Sequence, residues 1–269
     1  MLTIVEEKVR PQRASDNREL YRRYWWQHAE KRVGLYRALS ATVPPKRVFG
    51  RSLTSKHFAF AFLPEKIIYD QTLIVFVGLT LAESTVISSR VHESWAQFFG
   101  GTLEDRPRYN LADCFDPFPF PGPLDTSAGR EYYEFRTELM IRNNQGLTKS
   151  YNRFHDPEEQ SEDFKRLRAL HQAMDRAVLD AYGWTDIQAV PEHEPEFDEE
   201  PAEDDEFSAA KKPKQKFRLR WPEEIRDDVL ARLLILNEQR AAEEALEKKT
   251  KKKKSKRAAT PLFDQGDKE

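Results

Sequence analysis

Charge in this sequence is sorted into blocks, and the blocks decide where a core can form. Residues 1–64 carry thirteen Lys/Arg against five Asp/Glu. Residues 192–206 (EHEPEFDEEPAEDDE) hold ten acids and no base, and residues 248–257 (KKTKKKKSKR) hold eight bases and no acid. Runs of like charge repel and stay solvated, so the acidic stretch reads as linker and the lysine run as tail. The net charge of −2 averages these blocks away and says nothing against a polyanionic partner. The lysine run adds non-specific affinity for polyanions, and it can fold back on the acidic run only at close approach, because screening acts within about 8 Å.

Between the blocks, periodicity predicts the elements. A helix is expected over 18–39, with Leu20, Tyr24, Ala29, Val33, Tyr36 and Leu39 on its apolar face; Pro44-Pro45 stops it. From Lys46 to Val77, short β-branched and aromatic runs (Val48, Phe49, Phe58, Phe60, Phe62, Leu73–Val77) read as strands. Residues 80–99 read as a helix ended by Gly100-Gly101, and 107–123 as an ordered proline–aromatic loop. Helices follow over 129–144 and 162–182, the second carrying Phe164, Leu167, Leu170, Met174, Val178 and Ala181 on one stripe before Gly183. Residues 188–216 read as disordered, and Trp221-Pro222 opens a last helix with Ile225, Val229, Leu233 and Leu236 inward.

At 269 residues and 39% hydrophobic, the chain suits one or two domains with solvated segments. No apolar run of about 18 residues occurs, and the first residues lack the apolar stretch of a secretory signal, so neither a membrane span nor secretion is expected. A lone cysteine, Cys114, permits no internal disulfide and no multi-cysteine zinc site. A cytoplasmic location fits.

Motifs that suggest chemistry have plainer readings. Asp116-Pro117-Phe118-Pro119 invites comparison with the polar-Pro-Pro-aromatic loop of amino-methyltransferases, in which the loop binds a flipped base. Phe118 stands in the third position, however, and no glycine-rich turn precedes it, so the loop reads as a plug at the core edge. Phe98-Phe99-Gly100-Gly101 ends a helix rather than following a strand, which suits a cap and not a cofactor turn. His155-Asp156-Pro157-Glu158-Glu159 could supply metal ligands, but Asp-Pro-Glu-Glu is also a helix-start signature. No catalytic residue, cofactor site or metal site is assigned. The positive constellation is basic: Arg47, Arg51 and Lys56, beside strands, could neutralise phosphates or fork onto guanine edges.

Read in order, the segments resemble the C-terminal region of large adenine-specific DNA methyltransferases of the type IIG restriction–modification kind, the MmeI-like group. The resemblance is carried by Trp25-Trp26-Gln27-His28-Ala29-Glu30-Lys31-Arg32, Ser55-Lys56-His57-Phe58-Ala59-Phe60 and His92-Glu93-Ser94-Trp95-Ala96-Gln97-Phe98-Phe99-Gly100. It continues through Arg108-Tyr109-Asn110, Phe118-Pro119-Phe120-Pro121, Leu147–Asp156 and Leu170–Trp184.

The resemblance implies an α+β protein. A mixed strand-and-helix DNA target-recognition module (1–125) precedes a helical domain (126–187), a disordered linker (188–216), a C-terminal helix (217–247) and a basic tail (248–269). Double-stranded DNA is the implied partner, with Arg47, Arg51 and Lys56 on phosphates and base edges and with Lys149 and Arg153 adding backbone contacts. The family's cofactor-binding and amino-methylation motifs are not among these residues. The chain is therefore expected to be either a specificity partner of a separately encoded methyltransferase, which would supply S-adenosylmethionine and catalysis, or the detached C-terminal part of a split or truncated gene. The rival expectations are an enzyme, either methyltransferase or nuclease, with unrecognised catalytic residues, and a gene remnant without function.

Overall fold

The structure is a computed structural model that describes residues 2–27, 32–41, 47–64, 67–103, 106–196 and 216–258. His28–Lys31 of the Trp25–Arg32 segment, Pro44-Pro45, Lys46 and most of the acidic run fall outside the described residues.

The chain opens with α1 (Leu2–Ala14), α2 (Glu19–Arg23) and α3 (Val33–Ala41). The single helix expected over 18–39 is therefore broken: a turn follows α2, and Arg32 sits in the left-handed region at φ 42°. Among the described residues of its expected apolar face only Leu39 is buried, while Leu20, Tyr24, Val33 and Tyr36 stay exposed.

Strands β1 (Arg47–Ser52), β2 (Ala61–Pro64) and β3 (Leu73–Val77) form an antiparallel sheet in the order β2-β1-β3. Phe49 lies opposite Phe62 on one side and Phe76 on the other. Because side chains alternate across a strand, Phe49 and Phe76 enter the main core while Val48 faces the other way, packing with Leu39 and Tyr69. Gly50 is required where it stands, since a Cβ there would lie 2.8 Å from the Ile74 carbonyl oxygen.

The helix expected over 80–99 is two, α4 (Leu81–Ser88) and α5 (Arg90–Phe99). A capping box of Thr80 and Glu83 starts the first, and Ser89 both ends it and caps the second. A small hairpin, β4 (Gly101–Leu103) and β5 (Arg106–Arg108), and a π-helical turn (Leu111–Phe115) lead to the proline–aromatic loop. There Phe118 is buried against His92 and Trp95.

Helices α6 (Ser127–Arg142), α7 (Leu147–Phe154) and α8 (Glu162–Ala181) follow. Asp156-Pro157-Glu158-Glu159 forms a turn before α8 rather than its cap, and its carbonyls, with those of Arg153 and Phe154, receive the Arg168 guanidinium. Among the described residues no group of three His, Cys, Asp or Glu side chains is placed to hold a metal.

Within the stretch expected to be disordered, β6 (Glu192–Glu196) pairs antiparallel with β7 (Lys216–Arg220). Helix α9 runs from Glu223 to Ala258, so the beginning of the expected basic tail is helical. The charges explain the first of these corrections: the acids of β6 face the bases of β7 in register, Glu192 opposite Arg220, Glu194 opposite Arg218 and Glu196 opposite Lys216.

One buried cluster joins Phe49, Phe60 and Phe76 to Tyr132, Phe154, Met174 and Leu219; a second joins Val91, Trp95 and Phe118 to Val178, Trp221 and Leu233. Both draw on residues from either side of 125, so that expected boundary does not divide the molecule into separate cores. No helix among the described residues is long and apolar enough to cross a membrane. The mixed architecture is α+β, as the sequence implied.

Candidate nucleic-acid interface

A cleft of about 550 Å³ opens where the β6–β7 hairpin meets the residues around β1, β5 and α5. Six cations line it: Arg51, Lys56, Arg108, Lys216, Arg218 and Arg220. Glu93 and Glu196 are the carboxylates in its lining. Each wall is held by specific contacts.

Arg51 forms the floor. It is only 3% exposed, and its guanidinium carbon sits 4.8 Å from the Phe58 ring centre, 5.1 Å from Phe60 and 5.0 Å from Tyr109. Such a cage stabilises a cation through the electron-rich ring faces. Its Nε donates to the Ser52 carbonyl at 3.2 Å, while Nη1 has no hydrogen-bond partner among the described residues. Burial lowers its pKa to about 10, still well above neutrality. Tyr109 is fixed in turn by His92, whose Nε2 lies 2.7 Å from the phenolic oxygen.

The opposite wall is β7. Its position is set by three contacts: the Leu219 N–H donates to His155 Nδ1 at 3.1 Å, the Leu219 carbonyl accepts from Arg90 Nη2 at 3.3 Å, and Arg218 donates to His57 Nδ1. Because His57 Nε2 faces the Asn152 Oδ1 acceptor at 2.8 Å, the ring carries its proton on Nε2 and accepts through Nδ1. Burial first, and then the neighbouring Arg218 charge, push the His57 pKa down to about 4, so the ring is neutral at pH 7. Burial pushes His92 down to about 3 and, with the Arg218 charge beside it, lowers His155 as well.

Anionic contacts balance some of the positive charge. Glu196 joins Arg218 through one oxygen and Lys56 through the other, at 3.3 Å for the lysine. Glu194 lies 3.3 Å from Arg226 and 3.9 Å from Arg220.

The residues expected from sequence to meet DNA are thus separated. Arg51 and Lys56 line the cleft together, but Arg51 is its buried floor and not an exposed phosphate hook. Arg47 opens β1 opposite Pro64, and its side chain lies outside the described residues. Lys149 and Arg153 sit on α7, away from the cleft lining. The Arg153 charge is satisfied internally: its Nε meets Glu159 at 2.7 Å, and its guanidinium stacks 4.2 Å from the centre of Phe164. Sequence reasoning misses Arg108, Lys216, Arg218 and Arg220. The alternation Lys216-Phe217-Arg218-Leu219-Arg220 puts three bases on one strand face, a signal visible once that segment is read as a strand.

Comparison with known proteins agrees with this geometry. Residues 8–122 match the family described as the MmeI target recognition domain. The segment that resembles a target recognition domain shares its buried core with the helices and strands that follow it. A solved structure of the type IIL restriction–modification enzyme MmeI in complex with DNA superposes on 70% of this chain with a TM-score of 0.50 at 18% identity. At that identity the likeness is one of fold, and this chain spans only 24% of that one. The resemblance drawn from the sequence and this match agree over residues 8–122. No curated protein matches the chain.

Proposed function

We propose that this chain is the DNA-recognition component of an adenine-specific DNA methyltransferase of the type IIG restriction–modification kind, reading duplex DNA in the cytoplasm. The observation that carries the reading is the basic cleft between the matched residues, which supply Arg51, Lys56 and Arg108, and the paired strands β6 and β7, which supply Lys216, Arg218 and Arg220, with Glu93 and Glu196 as its carboxylates. Such a surface neutralises backbone phosphates and releases their counterions, which supplies affinity and orientation, while base edges supply specificity. In this reading methyl transfer from S-adenosylmethionine belongs to a methyltransferase catalytic chain that works with it. Leu20, Tyr24, Trp26, Val33 and Tyr36 near the N-terminus are exposed apolar side chains that such a chain can cover.

The test is fluorescence anisotropy of labelled duplexes at several salt concentrations, followed by transfer from labelled S-adenosylmethionine with and without a candidate catalytic chain. The expected outcome is duplex binding whose log K falls with log salt by about 0.9 per phosphate contacted, with methylation only when the catalytic chain is present. Salt-independent binding, or none, would sink the reading.

A further inference from the structure

The hairpin β6–β7 lies outside the residues matched by the recognition-domain family, yet it forms one wall of the cleft, and it brings an anion with it. Glu196 divides its two carboxylate oxygens between the Arg218 guanidinium and the Lys56 ammonium. A phosphodiester presents the same pattern: one negative charge shared by two non-bridging oxygens. We propose that Glu196 occupies the seat of a DNA phosphate between Lys56 and Arg218, and that duplex binding exchanges the carboxylate for a phosphodiester. The inference rests on the DNA-recognition reading and deepens it, by adding the C-terminal hairpin to the DNA-binding surface and giving it a charge that competes with DNA.

Three features suit the exchange. Arg218 is 6% exposed and held by His57, so it keeps its aim into the cleft when Glu196 leaves. Lys56 is more exposed and stands on the recognition domain, so the seat bridges that domain and the C-terminal hairpin. Glu196 is the last residue of β6, where its side chain can swing away without opening the β6–β7 ladder behind it. Burial opposes its ionisation, but Arg218 and Lys56 hold its carboxyl below the ordinary carboxylate value, so the seat is filled by an anion at neutral pH. The physical consequence is a threshold. Weak, isolated phosphate contacts do not displace a tethered carboxylate, whereas a duplex docked along the whole cleft does.

The experiment uses the full chain and two variants that move in opposite directions, Glu196→Gln and Lys56→Gln, with thermal melts to show that both fold. Anisotropy is read on a labelled duplex between about 50 and 200 mM salt. E196Q keeps an acceptor for Arg218 but removes the competing charge. It is expected to bind random duplex roughly tenfold tighter, with a salt slope steeper by about 0.9, one phosphate's worth. K56Q is expected to bind more weakly, with a slope shallower by about 0.9. A purely structural role would weaken both variants together. Wild-type binding with E196Q unchanged or weaker overturns this seat and leaves the DNA-recognition reading standing; no duplex binding by any of the three removes both. Inorganic phosphate titrated at matched ionic strength is expected to displace no duplex. Full displacement would reassign the seat to free phosphate and overturn the proposal.

Discussion

Asp175→Asn tests whether the recognition domain and the helical region stand or fall together. Asp175 on α8 is 1% exposed and Arg90 on α5 is 2% exposed. The Asp175 carboxylate accepts the Arg90 backbone N–H at 2.8 Å and its Nη1 at 2.6 Å, with His171 Nδ1 3.1 Å away. Arg90 also reaches the Leu219 carbonyl on β7, so one guanidinium ties α5 to α8 and to the cleft wall. Replacing the carboxylate with an amide leaves a cation buried without an anion, and sets an NH₂ group or a neutral oxygen where Oδ2 met Nη1. Stranding one partner of a buried pair costs about 3–5 kcal/mol, a large share of the 5–15 kcal/mol that holds a typical domain. For a folded unit of this size the melting temperature is expected to fall by roughly 10 °C. Urea titration followed by far-UV circular dichroism and by tryptophan fluorescence, with Trp95 on α5 and Trp221 beside β7 both buried, should show one shifted transition on both probes. Arg90→Met combined with Asp175→Leu should recover part of the loss, because it removes the stranded charge while leaving the residue-90 N–H and the Leu219 carbonyl without their partners. A cost below about 1 kcal/mol, or two separate transitions, would refute the reasoning.

Two smaller predictions follow from the core and from the histidines. Gly129→Ala places a methyl group onto the Thr85 side chain, which packs directly over it, and should cost about 1–3 kcal/mol in a denaturant titration; adding Thr85→Ala should return most of it, and a G129A variant as stable as wild type would show the α4–α6 contact to be looser than described. His57, whose pKa is lowered in the fold, binds fewer protons there than in the unfolded chain, so its contribution is present above its unfolded value of about 6.5 and drains away as pH falls toward 4. Asp175, held below its ordinary value by His171 and Arg90 against the opposing effect of burial, acts in the same direction at lower pH. His57→Gln should therefore flatten the loss of stability between pH 7 and 5 measured by urea midpoint, and an unchanged pH profile would contradict the neutral, Arg218-facing ring.

The elements legible in the sequence are those whose evidence is local. The stripe Phe164, Leu167, Met174 and Val178 marks α8, and all four side chains are buried. The aromatic and β-branched runs between 47 and 77 point to the sheet, although not to its order, because pairing β1 with both neighbours depends on contacts distant in sequence. Two helices read too long for one reason: apolar periodicity carries across a break. Nothing in the spacing of Val86, Ile87 and Val91 marks Ser89 as the cap of a new helix, yet Ser89 accepts from the His92 N–H and turns the chain there. The match of Leu20, Val33 and Tyr36 to one helical face likewise survives on paper while a left-handed Arg32 interrupts the helix.

The cleft is half legible, and the half that sequence misses teaches more. A count of basic residues finds Arg51 and Lys56 but cannot tell a cation on a surface from one caged by rings, because Phe58, Phe60 and Tyr109 converge on Arg51 only after the sheet forms and the β5 strand returns. The acidic run misleads in the opposite way. Taken alone, Glu192–Glu196 has the composition of a solvated linker. Its counter-charges stand about twenty residues later in Lys216–Arg220, and only the pairing of the two turns mutual repulsion into a ladder of opposite charges. Blocks of like charge therefore do not by themselves predict disorder. They predict that the block needs an oppositely charged partner to fold, and the partner can be another block of the same chain. In this protein that partnership builds the wall of the cleft, and it leaves a carboxylate where a nucleic-acid phosphate would otherwise sit.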